Sequence, residues 1–166
     1  MTRRPRTVSG TAGPGLIGVR LVPTVLLADA DADSCAMVRD ALLEGVGPTD
    51  LRTVASAHEL DDYVHHQGEH EDERTSPPPA LIVIDQDLPG NEDFDAVRAI
   101  KSNAQLRRIP VVVLARVPDP AQTAAAYDAG ANTVIAKPVT FLALVKLMKV
   151  FTAYWLESAV LAPERA

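Results

Sequence analysis

Apolar residues recur along this chain with two different spacings. The densest run, Leu81 to Ile84, follows Pro77-Pro78-Pro79 and Ala80, leads straight into Asp85, and is closed by Leu88-Pro89-Gly90. A short Val- and Ile-rich run between turn signals reads as a strand buried on both faces. The same shape recurs at Thr24-Val25-Leu26-Leu27-Ala28 before Asp29, and at Pro110-Val111-Val112-Val113-Leu114 before Ala115. A shorter run, Thr133 to Ala136, precedes Lys137-Pro138, and a weaker strand is read over Leu51 to Ala55.

Between these runs the spacing changes to three and four residues, the period of an amphipathic helix. The first predicted helix covers about residues 34–44. Asp31 or Asp33 caps it, and Ala36, Met37, Ala41, Leu42 and Leu43 form its apolar face, with Gly45 and Gly47 as its stop. Ser56 followed three residues later by Glu59 has capping-box spacing and opens a helix carrying Leu60, Tyr63 and Val64. Phe94, Val97, Ala99 and Ile100 mark a third helix ending near Asn103. Asp119-Pro120 starts a fourth, which Gly130 ends. The last and longest spans about residues 139–160. Phe141, Leu144, Met148, Phe151 and Trp155 line one face, while Leu142, Val145 and Val150 lie off that line. Two readings of this extra apolar surface stay open: a wide core face, or an interface with a second copy.

Five strands alternating with helices imply βαβ units joined by right-handed crossovers. The expected fold is α/β, a five-stranded parallel doubly wound sheet of (βα)5 connectivity and flavodoxin-like order 2-1-3-4-5. With the strands parallel, Asp29, Asp85 and Lys137 converge on one edge of the sheet. In open α/β sheets the carboxyl edge is where ligands bind.

Composition narrows the function classes. A length of 166 residues suggests one domain. The formal net charge of -6 argues against a bare nucleic-acid-binding surface. Cys35 is the only cysteine, which excludes an internal disulfide, and it falls on a predicted helix as a small structural residue. No apolar run approaches the roughly 20 residues of a membrane helix. Residues 1 to about 22 are rich in Arg, Gly, Pro and Thr without periodicity and read as a disordered tail, made basic by Arg3, Arg4, Arg6 and Arg20. The tail has no apolar signal core, so a cytoplasmic location is expected. The four histidines, His58, His65, His66 and His70, cluster in one polar region but lack ligand spacing with Cys or Asp. They are read as a solvated helix end.

Taken together, the Asp at the end of the first strand, Ile84-Asp85-Gln86-Asp87-Leu88-Pro89-Gly90, the stretch Arg107 to Leu114, and Ala129-Gly130-Ala131 followed by Lys137-Pro138 resemble the receiver domain of two-component response regulators. The resemblance covers about residues 24–157, and the domain is expected over 23–161 with an extended last helix. Tyr63-Val64-His65-His66-Gln67-Gly68-Glu69 and Phe151-Thr152-Ala153-Tyr154-Trp155-Leu156 are similar to the single-domain regulators that partner bacterial phytochromes. This resemblance implies several things. Asp85 is the phosphoacceptor, Lys137 pairs with the phosphoryl oxygens, and Asp29 with Asp85 holds Mg2+. A sensor histidine kinase, phytochrome-like, is the partner, and a homodimer forms through the fourth helix, fifth strand and fifth helix. The Lys137-Pro138 bond is expected to be cis. No role as an independent enzyme, at a membrane or on nucleic acid is implied.

The chain departs from the family pattern at four positions. Ala30 stands where a second acid contacts the metal, Ala115 where a Thr or Ser bonds the phosphoryl group, Val134 where the fifth strand carries an aromatic residue, and Asp93 where a Gly is usual. An alanine methyl cannot ligate Mg2+, so weak or absent Mg2+ binding is expected. Two functions stay open: an atypical single-domain response regulator with Asp85 as phosphoacceptor, or a phosphorylation-independent pseudo-receiver acting as a dimeric interaction module. Asp85 and Lys137 are equally readable as a partly buried ion pair that stabilises the sheet edge.

Overall fold

The computed structural model describes residues 22–44 and 48–161. The expected tail, apart from Val22, lies outside the described residues, as do Gly45 and Gly47. Five parallel strands form one sheet in the order β2-β1-β3-β4-β5: β1 (Thr24–Ala28), β2 (Asp50–Val54), β3 (Leu81–Asp85), β4 (Val111–Ala115) and β5 (Thr133–Ala136). The helices are α1 (Ala32–Leu43), α2 (Ala57–Val64), α3 (Asp95–Ser102), α4 (Pro120–Asp128) and α5 (Phe141–Thr152). The expected fold and strand order are those observed. Among the described residues no helix is long and apolar enough to cross a membrane.

The two faces of the sheet explain why β1, β3 and β4 read as continuous apolar runs. Val25, Leu27, Leu81, Val83, Val112 and Leu114 pack against α1 and α5. The alternate residues, Leu26, Ile82, Ile84, Val111 and Val113, pack against α2, α3 and α4. Side chains alternate across a strand, so covering both faces leaves no polar row.

Helix ends follow the local chemistry. Asp31, not Asp33, caps α1, accepting hydrogen bonds from the backbone N–H groups of Asp33 and Ser34. The cap sets the register of α1 and corrects its expected face: Ser34, Cys35, Val38, Ala41 and Leu42 are buried, whereas Met37 and Leu43 are exposed. Ser56 caps α2 through the Glu59 N–H, but the Glu59 carboxylate reaches back to the N–H of Ala55, not that of Ser56. In α3, Val97 and Ile100 are buried while Ala99 faces solvent. Asp119 caps α4 with Pro120 in its first turn. Gly130 follows α4 at φ +104, and a Cβ there would meet Lys101 Cγ at 2.8 Å, so both backbone and space require glycine.

The last helix begins at Phe141, two residues later than expected, because Thr140 caps it. Its final turns, Ala153–Ser158, are wound as a π-helix. Val145, expected off the core line, is buried with Leu144, Met148 and Phe151, while Leu142, Val150 and Tyr154 stand in solvent. All peptide bonds among the described residues are trans, so Lys137-Pro138 is not the expected cis bond. Trans is the lower state of most X–Pro bonds, by about 0.5–1 kcal/mol. In the trans form the Lys137 N–H already bonds the Ala115 carbonyl at 2.7 Å.

Candidate functional site

Strand register places the charged residues. Ala28 pairs with Ile84, Asp85 with Leu114, and Ala115 with Ala136. Asp29 and Asp85 therefore stand level at the ends of neighbouring strands, and Lys137 follows β5, on the far side of β4 and two residues further along the same carboxyl edge. Asp29 and Asp85 continue the alternation of Val25, Leu27 and of Leu81, Val83, which puts them on the α1 and α5 side of the sheet.

The three residues form one ionic cluster. Lys137 Nζ donates to Asp29 Oδ2 at 2.8 Å and to Asp85 Oδ2 at 2.6 Å. Asp29 and Asp85 are only 5% and 6% exposed, so their charges need partners inside the fold. The backbone supplies the rest: the Asp31 N–H donates to Asp29 Oδ1 and the Asp87 N–H to Asp85 Oδ1, both at 2.9 Å. Ser34 Oγ donates to Asp29 Oδ2 at 2.6 Å. Burial pushes the Asp29 carboxyl up, but hydrogen bonds from Lys137, Ser34 and the Asp31 N–H outweigh it and hold the group below its ordinary pKa. Burial likewise pulls the Lys137 ammonium down, and its bonds to Asp29 and Asp85 more than restore it, leaving it above the ordinary lysine value.

Cys35 lies behind the cluster. Its Sγ donates to the Asp29 carbonyl at 3.4 Å, and burial first, then the Asp29 charge, pushes the thiol up. The cysteine is thus a protonated core residue and not a reactive one.

The positions that depart from the family pattern are also placed. Ala30 is exposed beside Asp29, and Asp31 turns its carboxylate to the start of α1. Ala115 is buried, with no hydroxyl toward the site. Asp93 adopts φ +51 and the next residue, Phe94, φ +62. A glycine-type turn is therefore kept without glycine, held by the Arg98 guanidinium on the Asp93 carbonyl and by the buried Phe94 ring. The histidines engage separate partners: His58 with Asp62, His65 with Asp61, His66 with Glu73, and His70 with Ser76 and Glu59.

The sequence singled out Asp29, Asp85 and Lys137, and the fold brings all three together. Sequence reasoning missed Ser34 and the two backbone N–H donors. Only the exact register of α1 puts a hydroxyl over Asp29, and no motif encodes that.

Two carboxylates form a hard oxygen donor set, which fits an ion such as Mg2+ or Mn2+. Each carboxylate oxygen already accepts one hydrogen bond, Asp29 Oδ2 accepts two, and lone pairs remain. The donors fit a divalent cation once the Lys137 ammonium gives way.

Residues 25–149 match the response regulator receiver domain family. The response regulator Rcp1 of Synechocystis is 30% identical over 137 residues, 82% of this chain and 90% of the relative. The phosphorylated cyanobacterial phytochrome response regulator RcpA superposes with TM-score 0.76 at 28% identity, over 86% of this chain and 99% of that one. The Mn2+-bound form of Rcp1 gives TM-score 0.75 at 27% identity, over 85% of this chain and 99% of that one. The matched residues contain all of the sheet but Thr24 together with all three charged groups, and this chain belongs to the response regulator receiver domain family, the signalling proteins of two-component systems rather than enzymes.

Proposed function

We propose that this chain is an atypical receiver in which Asp85 accepts a phosphoryl group at a site with weak Mg2+ affinity. The observation that carries the reading is Lys137 bridging both carboxylates, with Ala30 and Ala115 beside them. Asp29 and Asp85 are the residues that would hold Mg2+. Bound there, the ion supplies charge neutralisation for the incoming phosphoryl oxygens. In this scheme a kinase phosphohistidine loses its P–N bond as an Asp85 oxygen forms the new P–O bond. Lys137 then exchanges its Asp85 partner for a phosphoryl oxygen while Asp29 retains it. The pocket offers one carboxylate fewer than the family pattern, and the ammonium competes for the remaining oxygens, so the ion binds weakly. Restoring the groups tests this: Ala30→Asp should recover most of the Mg2+ affinity, and Ala30→Asp with Ala115→Thr should raise acyl-phosphate yield from a small phosphodonor. Rapid phosphorylation of the unaltered protein at millimolar Mg2+ would show that the site is not impaired.

The proposed partner is a sensor histidine kinase of the phytochrome type, by analogy with the named function of RcpA. The proposed assembly is a homodimer through α4, β5 and α5, supported by exposed Val117, Tyr127, Val139, Leu142, Val150 and Tyr154 around that flank. One observation favours a second reading, a phosphorylation-independent interaction module: the Asp29–Lys137–Asp85 cluster is electrostatically satisfied without metal or phosphate. Phosphotransfer from a cognate kinase separates the two readings, since the interaction module should stay unlabelled yet remain dimeric.

A further inference from the structure

The two site carboxylates are held unequally. Asp85 has one backbone donor and Lys137, whereas Asp29 has one backbone donor, Lys137 and the Ser34 hydroxyl. Ser34 lies in the first turn of α1 and is 4% exposed. Its own N–H is taken by the Asp31 cap at 3.2 Å, which fixes the backbone under the hydroxyl. The 2.6 Å bond from Ser34 Oγ is a charge-assisted contact. It falls on Oδ2, the same Asp29 oxygen that receives Lys137.

We propose that Ser34 is a positioning residue of this site: its hydroxyl fixes the Asp29 carboxylate as the standing partner of Lys137, against its recruitment by a divalent cation. The inference rests on the weak-cation reading above and adds a cause that lies outside the family pattern. Tied to α1 by Ser34, Asp29 cannot turn Oδ2 toward an ion without breaking two short bonds. Asp85 has no such tether and is the carboxylate from which Lys137 can depart. The hydroxyl therefore sets which of the two acids keeps the ammonium and which is freed.

The test uses Mn2+ as the probe on the full chain, with free ion counted by electron paramagnetic resonance. Ser34→Ala removes the donor and keeps a good helix former, and Ser34→Thr keeps the hydroxyl. We expect Ser34→Ala to bind Mn2+ at least about threefold more tightly than the parent and Ser34→Thr to return toward the parent value. Metal-free melting curves check that both variants fold, and a variant that does not melt cooperatively is replaced by Ser34→Cys, whose weaker donor should give an intermediate affinity. An unchanged or weakened Mn2+ affinity in Ser34→Ala, or equal shifts in Ala and Thr, would overturn the proposal. The parent's absolute affinity tests the weak-site reading, while the ratio of variant to parent tests Ser34, so either can fail alone.

Discussion

At the carboxyl edge of the sheet two carboxylates are buried beside a largely covered lysine, and all three charges are satisfied from within the chain. On the flank built from α4, β5 and α5 the reverse holds: apolar side chains such as Val150, at 69% exposure, and Leu142, at 66%, stand in water. The difference follows from what each kind of burial requires. A charge taken out of water must find its partner inside the same fold, or the fold loses several kcal/mol. An exposed apolar side chain is tolerated singly, and its clustering marks a surface where another molecule can remove it from water. The pocket is thus complete by itself, and the flank is where the chain has something left to gain.

The largest effect should come from breaking the pocket. Lys137→Met leaves two buried carboxylates facing each other and should lower stability by about 3 kcal/mol at neutral pH, read by urea denaturation without metal. Acid sharpens the contrast. Asp29 has a depressed pKa in the fold, so its contribution is present above the ordinary carboxylate value of about 3.9 and fades as pH falls through the lower folded value. Lys137 has a raised pKa, so its contribution is present below about 10.4 and fades as pH rises through the higher folded value. The parent should hold a plateau between those limits. Lys137→Met should instead gain stability on mild acidification, when one of the stranded carboxylates takes a proton. A variant that loses stability in parallel with the parent would mean the cluster does not govern the acid limb.

The flank should respond in assembly and not in folding. Leu142→Asp with Val150→Asp should weaken self-association by about 2 kcal/mol, roughly thirtyfold, in sedimentation at micromolar concentration. The same pair should change folding stability by no more than about 0.5 kcal/mol, because both side chains are exposed. A parent that sediments as a monomer would remove the dimer and leave the flank to a different partner.

Two smaller changes test the frame around the pocket. Asp31→Ala should cost about 1 kcal/mol through the lost cap of α1 and should not lower Mn2+ affinity, since its carboxylate serves the helix. A marked fall in Mn2+ affinity would make Asp31 the missing ligand. Asp93→Gly should stabilise the fold by about 0.5 kcal/mol, measured as a small rise in Tm, because glycine adopts its positive φ without strain.

Much of this was written in local sequence. Run length identified β1, β3 and β4, since strands covered on both faces carry no polar row, and a shorter apolar run identified β5, a partly exposed edge strand. The helix starts at Ser56 and Asp119 were visible, and that of α1 was narrowed to Asp31 or Asp33, because a side chain within three residues satisfies the helix end. The site trio was legible because a parallel sheet brings the residue after each strand to the same edge. The tertiary structure decided what depends on distant backbone. The choice of Asp31 over Asp33 shifted the buried face of α1 off Met37 and onto Ser34 and Cys35. Packing of α5 against α1 buried Val145 and left Val150 outside. The pairing of Lys137 with two carboxylates 52 and 108 residues away, and the Ser34 hydroxyl that distinguishes them, exist only once the sheet has formed. Sequence determines which residues can be buried or charged, whereas a hydrogen bond of 2.6 Å depends on tenths of an ångström set by every element that packs around it.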